Sequence, residues 1–381
     1  MKQRRIYCDY NATTPVLDVI QKNYKQFLQQ FGNASSLYLK GRQAKEALEQ
    51  ARFTVASFIN ATPDQVIFTS SGTEANNHVL QQLIVQQQQH SEPIHILVSA
   101  IEHSSILETV RFLTTYGIEV DYIPVKPTGV VDIDKYKALF KSNTKLVCVM
   151  VANNEIGVIE PIDHLVDIAH QHGALFHADG VQALGKIDVD VKKLNVDFLT
   201  CSSHKVYAPK GVGFLYIKNQ ADFVPLLYGG LHERGLRAST ENIPGIMSLE
   251  MALNTIDISK YQAHTLALKQ QFKQLLQQVD GITFNDPDGV DVLTNTVNVS
   301  FKGCDGQALA MNCDLAGIDV STGSACSVGS IEPSHVLTAI GVSEQLNRSS
   351  LRFSFGLDHS ADDIDYVARI LIDIVDRLKD C

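Results

Sequence analysis

The feature that most constrains the fold of this chain is an alternation of short apolar runs with amphipathic helical patterns over its first two thirds. Between residues 40 and 59, apolar residues recur every three or four positions, as in a helix that buries one face. The pattern at 162–172 predicts another helix, which Gly173 closes as a C-cap. The apolar runs that we predict as strands are residues 66–69, 95–100, 120–125, 145–152, 174–177, 198–201 and 213–217. Strands that alternate with helices predict an α/β fold, with a mostly parallel sheet wrapped by helices.

The pattern changes after about residue 240. Two long helical stretches, at 243–255 and 262–279, predict a connector that leaves the large sheet. Beyond them we predict strands at 296–301 and 351–355, helices at 306–315 and 361–378, and a Gly/Ser-rich loop at 321–330. This order of elements predicts a second, smaller α+β unit.

Charge and cysteine content exclude several classes of protein. The 32 Lys and Arg residues against 42 Asp and Glu residues give a net charge of −10, which argues against direct binding of nucleic acid or of an anionic membrane. The first residues contain no apolar run typical of a secretory signal, and no apolar stretch approaches the length of a membrane span. Seven cysteines occur without a C-x-x-C pair, which argues against a disulfide framework and a structural zinc site. We therefore expect a cytoplasmic protein without a metal site.

Polar residues follow several of the predicted strands. Asp179 ends a strand inside a nearly neutral segment, and Lys205 follows the next strand. The segment TSSGTE at 69–74 precedes a helical pattern and offers backbone N–H groups to a phosphate. Taken singly, that segment is more typical of an ordinary N-cap, and Lys205 is more typical of a surface lysine. The loops at the carboxyl ends of parallel strands meet in one crevice, so we expect Asp179, Lys205 and the segment at 69–74 to lie together. Their combination is more specific than any one of them.

A pyridoxal phosphate site needs these three groups: a Schiff-base lysine, an acid against the ring nitrogen and a phosphate cradle. His103 follows another predicted strand and could stack on the ring, although a histidine at a helix start is an equally good interpretation. Asn154 could meet the ring hydroxyl, and its alternative is a turn-forming Asn pair. The residues therefore predict a pyridoxal phosphate enzyme.

With these motifs assembled, the chain resembles the pyridoxal-phosphate-dependent cysteine desulfurases of the class-V aminotransferase family. The resemblance spans nearly the whole chain and rests on DYNATTP, TSSGTEANN, IEHSS, NNEIG, HADGVQ, SSHKVYAPKGVG, GGLHERGLRAST, STGSACSVGSIEPSHVL and SSLRFSFG, in this order. It implies an aminotransferase-like fold (fold type I) with a large domain at 16–255 and a small domain formed by 1–15 and 256–381. It also implies a homodimer.

The resemblance implies a role for each site residue. Lys205 would carry the cofactor, Asp179 would face the ring nitrogen, and His103 would stack on the ring and shuttle a proton. The other cofactor contacts that it implies are Gln182 and Asn154 near the ring oxygen, Gly72, Thr73, Ser202 and His204 at the phosphate, and Thr240 at the phosphate of the other subunit. Arg352 would bind the substrate carboxylate, for which a planar guanidinium is suited. Asn154 would assist it.

Cys326 matches the nucleophile of the family, which takes the sulfur of L-cysteine as a persulfide, releases L-alanine and passes the sulfur to an acceptor protein. The acceptor would serve iron–sulfur cluster assembly or tRNA thiolation. Ser203 and Ala208 depart from the glycines that the family often has, and neither change removes a chemical group. The rival interpretations are another reaction of the same cofactor, such as selenocysteine lysis, transamination or kynureninase-type cleavage, and a non-catalytic protein that kept the fold.

Overall fold

The computed structural model describes residues 4–89, 92–322 and 332–379. Within these ranges it has thirteen strands and thirteen α-helices. The strands are β1 (Ile6–Tyr7), β2 (Val66–Thr69), β3 (His95–Ser99), β4 (Glu119–Ile123), β5 (Thr144–Met150), β6 (Leu175–Asp179), β7 (Phe198–Ser202), β8 (Gly213–Ile217), β9 (Ile282–Phe284), β10 (Thr296–Phe301), β11 (Ile318–Asp319), β12 (Ser321–Thr322) and β13 (Ser350–Ser354). The helices are α1 (Asp18–Phe27), α2 (Leu39–Phe58), α3 (Gly72–Gln89), α4 (Ser104–Thr114), α5 (Ile133–Ala138), α6 (Ile162–Gln171), α7 (Val191–Leu194), α8 (Ile243–Thr255), α9 (Ile258–Leu276), α10 (Gly306–Leu315), α11 (His335–Ala339), α12 (Glu344–Arg348) and α13 (Ala361–Lys379).

Seven strands form the large sheet in the order β2-β8-β7-β6-β5-β3-β4. The five strands from β7 to β4 run parallel, whereas β8 is antiparallel to both of its neighbours. The prediction of a mostly parallel sheet is therefore confirmed. The apolar runs of 66–69 and 213–217 coincide with β2 and β8, and the other five strands differ from their predicted bounds by one to two residues at an end.

Helices cover both faces of this sheet, because successive side chains of each strand point to opposite sides. In β8, Phe214 and Tyr216 join the core that includes α2, α6 and α8, while Leu215 and Ile217 join the core that includes α3 and α4. Gly173 follows α6 with φ +73°, a left-handed conformation that glycine adopts without strain, as its predicted role as a cap requires.

The C-terminal third forms a four-stranded antiparallel sheet in the order β12-β13-β10-β9. Helices α9 and α13 bury apolar residues against it, among them Phe272 and Leu371. The N-terminal β1 pairs in parallel with β11, and Ile6 belongs to this second core. These pairings agree with a small α+β unit that includes the first residues of the chain, and the boundaries at residues 16 and 255 stay a prediction.

In the described parts of the chain, no helix combines the length and the apolar character needed to cross a membrane.

Candidate active site

A cavity of about 350 Å³ opens at the carboxyl edge of the large sheet. Its walls come from the segments that follow β3, β5, β6 and β7, together with the start of α3, the N-terminal segment and β13. Side chains after neighbouring parallel strands meet at one edge, so the topology brings together residues that are far apart in sequence. The predicted residues that line this cavity are Gly72, Thr73, His103, Asn154, Asp179, Gln182, Ser202, His204, Lys205 and Arg352.

Lys205 and Asp179 enter the cavity from adjacent strands. β7 continues directly into a 3-10 turn, Ser203–Lys205, which holds the lysine three residues beyond the strand. Its Nζ donates to the backbone oxygens of Asn11 at 2.5 Å and Ala12 at 2.7 Å. Asp179 is the last residue of β6 and is 4% exposed. A carboxylate this deeply buried needs donors, and Asp179 has them at both oxygens.

The two donors to Asp179 are a side chain and a backbone amide. Asn76 Nδ2 donates to Oδ2 at 2.8 Å, and the backbone N–H of Val181 donates to Oδ1 at 2.9 Å. These contacts fix the plane of the carboxylate in the cavity wall.

One end of the cavity is built to hold an anion. Helix α3 begins at Gly72, and its first N–H groups have no acceptor within the helix. A Cβ at Gly72 would lie 2.8 Å from Cγ2 of Val181, so any side chain would fill this end. The Ser202 hydroxyl is buried there without a partner among the described residues. His204 also lines the cavity, and burial, followed by the nearby Lys205 and Lys210, lowers its pKa to about 4.

His103 is the N-cap of α4, and this position determines where its ring carries a hydrogen. Its Nδ1 accepts from the backbone N–H of Ser105 at 3.1 Å. A backbone amide can only donate, so Nδ1 is unprotonated and the hydrogen of the neutral ring is on Nε2. Burial lowers the pKa of His103, a change that Asp179 opposes and Lys205 supports. At neutral pH His103 is therefore a neutral imidazole.

Arg352 lies in β13 and is 3% exposed. Its Nη1 donates to the backbone oxygen of Asn154 at 3.1 Å, and its Nη2 donates to Oδ1 of Asp9 at 2.6 Å. The third nitrogen, Nε, is buried and has no partner among the described residues. The guanidinium is thus held in a fixed plane at the cavity wall and keeps a donor available to a ligand.

These groups fit pyridoxal phosphate. Three buried polar atoms of the cavity wall lack a partner among the described residues, namely Asn76 Oδ1, Ser202 Oγ and Arg352 Nε. Buried polar atoms without partners are rare in folded proteins and indicate a site for a polar ligand. An amine, a carboxylate and an anion cradle around them are the groups that this cofactor requires.

Of the predicted site residues that the structure describes, Thr240 does not line this cavity. Thr240 is exposed and lines a smaller cavity with Ser70, Glu233 and Arg237, so its predicted reach into the other subunit stays a prediction. Cys326 lies outside the described residues.

Three residues that sequence reasoning missed organise the site. Asn76 orients Asp179, and its signal was present, because it lies one helical turn beyond Thr73 on α3. Asn11, within DYNATTP, binds Lys205 through its backbone oxygen and receives a hydrogen bond from Gln182 at 2.8 Å. Lys186 donates to both Asn11 and Gln182, and nothing in its local sequence distinguishes it from a surface lysine.

The fold and this cavity define a class of pyridoxal phosphate enzyme, and the chain belongs to the class-V aminotransferase family. The family model, described as aminotransferase class-V, matches residues 6–367. The resemblance read from the sequence motifs is therefore confirmed.

Comparison with individual known proteins shows which members of the family this chain is similar to. A protein of Dictyoglomus turgidum named cysteine desulfurase IscS is 40% identical over 381 residues, which cover 99% of this chain and 96% of the relative. The solved structure of a NifS-like protein matches with a TM-score of 0.92 at 33% identity, covering 98% of this chain and 100% of that one. A structure described as SspA in complex with cysteine matches with a TM-score of 0.82 at 32% identity, covering 93% of this chain and 99% of that chain.

Proposed function

We propose that this chain is a pyridoxal-phosphate-dependent cysteine desulfurase, which converts L-cysteine to L-alanine and keeps the sulfur as a persulfide on Cys326. The observation that carries the proposal is the meeting of Lys205, Asp179 and Arg352 around one cavity. Two cations and one carboxylate in this arrangement suit an aromatic phosphate cofactor and an amino-acid carboxylate. The name of the curated relative described above, cysteine desulfurase IscS, supports the same reaction.

The residues that would hold the cofactor fall into two groups. Lys205 would bond to its aldehyde carbon and Asp179 would face its ring nitrogen, with His103 on the ring face and with Gln182 and Asn154 near the ring oxygen. At the phosphate end we assign Gly72, Thr73, Ser202 and His204. When bound, pyridoxal phosphate supplies an electron sink for the negative charge that develops at the substrate α-carbon.

The protein's own groups then divide the remaining work. Arg352 binds the substrate carboxylate through its unpartnered Nε and the Nη2 that Asp9 orients. The Lys205 amine takes and returns the α-proton. His103, with its hydrogen on Nε2, donates that proton at the substrate sulfur and takes a proton back at the same atom afterwards.

Sulfur leaves the substrate by attack of the Cys326 thiolate. An S–S bond forms as the Cβ–S bond of the substrate breaks, and the three-carbon fragment is released as alanine after protonation. The persulfide sulfur then passes to an acceptor protein, in iron–sulfur cluster assembly or in tRNA thiolation. Of these two, the IscS names of the relatives favour the former.

A second copy of the chain would complete the site. Thr240 belongs to an exposed segment in which Tyr228 is 79% and Leu231 is 88% exposed. Large apolar side chains exposed together mark an interaction surface. We assign this surface to a homodimer, in which Thr240 reaches the cofactor phosphate of the partner.

Incubation of the purified protein with L-cysteine and a thiol reductant tests the function. We expect alanine and sulfide in equal amounts, and absence of alanine would overturn the proposal. Selenocysteine and alanine in place of cysteine distinguish selenocysteine lysis and transamination. A protein that neither binds pyridoxal phosphate nor consumes cysteine would be the non-catalytic alternative.

A variant of the proposed nucleophile tests the division of labour. Cys326→Ser should abolish sulfur transfer and leave the Lys205-bound absorbance intact. Cys304→Ser is the matched control, because Cys304 is partly exposed and burial raises the pKa of its thiol, which makes it a poor nucleophile. Loss of the absorbance in Cys326→Ser would contradict the assignment.

A further inference from the structure

Lys186 is a buried amine next to the active-site cavity that the proposed reaction does not use. It is 4% exposed, and its Nζ donates to Asn11 Oδ1 at 3.1 Å and Gln182 Oε1 at 2.6 Å. No carboxylate of the described residues lies within ion-pairing distance of it. Burial of a lysine without an anion is costly, and it lowers the pKa of this amine well below its usual value, with Lys205 and Arg352 adding to the effect.

The neighbours of Lys186 fix which atoms it can meet. Gln182 Nε2 donates to the backbone oxygen of Asn11 at 2.8 Å, and a carbonyl oxygen can only accept, so the amide nitrogen of Gln182 must face that carbonyl. Asn11 Nδ2 likewise donates to the backbone oxygen of Asn154 at 3.1 Å. Both side-chain oxygens are therefore turned towards Lys186, which donates to each of them. A neutral amine has the two hydrogens that these bonds need.

This arrangement connects Lys186 to the cavity along two short routes. The backbone oxygen of Asn11 that accepts from Gln182 also accepts from Lys205 Nζ at 2.5 Å. Gln182 lines the cavity, uses one hydrogen of its amide nitrogen on Asn11 and keeps the other. Lys186 thus acts on the site through the orientation of two other residues, since it does not itself line the cavity.

We propose that Lys186 is a positioning residue of the active site. By donating to Asn11 and Gln182 it holds the carbonyl on which Lys205 rests, and it turns the amide nitrogen of Gln182, a hydrogen-bond donor, towards an acceptor oxygen of the bound cofactor. This inference rests on the proposed function, because it concerns how the chain receives pyridoxal phosphate.

The test is a double-mutant cycle read by cofactor binding. Wild type, Lys186→Met, Gln182→Leu and the double variant are stripped of cofactor and titrated with pyridoxal phosphate, and the affinity and the absorbance maximum of the bound form are measured. Lys269→Met is the matched control: Lys269 is 5% exposed but pairs with Asp286 at 3.1 Å in the C-terminal unit, where Lys273 also binds that carboxylate.

We expect Lys186→Met to lower the affinity about tenfold and to move the absorbance maximum, because the donor that orients Gln182 is lost. The double variant should bind within about twofold of the weaker single variant, since both substitutions remove the same arrangement. Lys269→Met should leave the affinity and the absorbance maximum unchanged. Affinity losses that multiply in the double variant would overturn the inference, as would a Lys186→Met protein equal to wild type.

Two further outcomes separate the causes of failure. If the wild-type chain develops no absorbance with pyridoxal phosphate, the proposed function is overturned. If wild type binds pyridoxal phosphate and Lys186→Met binds it with the same affinity and absorbance maximum, the proposed function stands and only the role of Lys186 is overturned. Should Lys186→Met not fold, Lys186→Leu, which also removes the donor, replaces it in the same cycle, and its coupling to Gln182→Leu decides the inference by the same criterion.

Discussion

Asp9 and Arg352 form a partly buried ion pair of 2.6 Å that joins the first residues of the chain to β13. The pair occupies Nη2 of the guanidinium, and the backbone oxygen of Asn154 occupies Nη1. The planar group is therefore oriented before a substrate arrives. Pre-orientation lowers the entropy that binding a carboxylate would otherwise cost.

Asp9→Asn should raise KM for L-cysteine about tenfold and change kcat by less than about twofold, because it weakens the orientation of Arg352 without touching the reacting atoms. Steady-state kinetics with alanine detection measures both constants. Asp319→Asn is the control, since Asp319 pairs with the surface residue Arg5. An unchanged KM in Asp9→Asn would mean that β13 alone holds the arginine.

Asn76→Ala should lower kcat about tenfold and weaken cofactor binding, because Asp179 loses one of its two hydrogen-bond donors. The neighbouring Asn77 provides a matched control, as it donates to the backbone oxygen of Thr73 and accepts from Thr109. We expect Asn77→Ala to keep nearly full activity. Equal effects of the two substitutions would show that α3 is perturbed as a whole.

Glu233→Gln should lower the free energy of unfolding by about 3–5 kcal/mol. The carboxylate of Glu233 binds the buried Arg52 at 2.6 and 2.8 Å and accepts from the backbone N–H of Phe68, so its loss leaves a charge poorly paired. Urea denaturation measures the change. Glu344→Gln, at an exposed pair with Arg348, should cost at most about 1 kcal/mol.

The stability of Glu160→Gln should increase relative to that of wild type as the pH rises. Burial raises the pKa of Glu160 to about 8, whereas the unfolded chain releases this proton near the ordinary value of 4.5. The folded state therefore binds the extra proton between these values, and wild-type stability is lost with rising pH by up to about 1.4 kcal/mol per unit.

Glutamine carries no such proton and keeps an acceptor for the Val131 amide that binds Glu160 at 3.0 Å. Denaturation curves give the free energy of unfolding of both proteins at pH 5 and at pH 7. From pH 5 to pH 7, the free energy of unfolding of wild type should fall by about 2–3 kcal/mol relative to that of Glu160→Gln. A difference that is constant with pH would show that Glu160 is ionised in the folded protein.

The sequence predicts the elements of this fold better than their directions. The run at 213–217 marks β8 at its actual bounds, but an apolar strand buried on both faces looks the same whether it runs parallel or antiparallel. Lys205 and Asp179 were found because polar residues directly after buried strands are unusual. Lys186 could not be found in this way, because its partners Asn11 and Gln182 meet it only through tertiary contacts.

Asn11 also fixes when the site can exist during synthesis. Its backbone N–H donates to Ser354, which lies 343 positions later in the chain, and its side chain bonds with Asn295 and Thr296. A nascent polypeptide lacks these partners until the ribosome has passed residue 354. Asn11 therefore reaches its final position only after β13 has been made, and the carbonyl that receives Lys205 is not held in place before then.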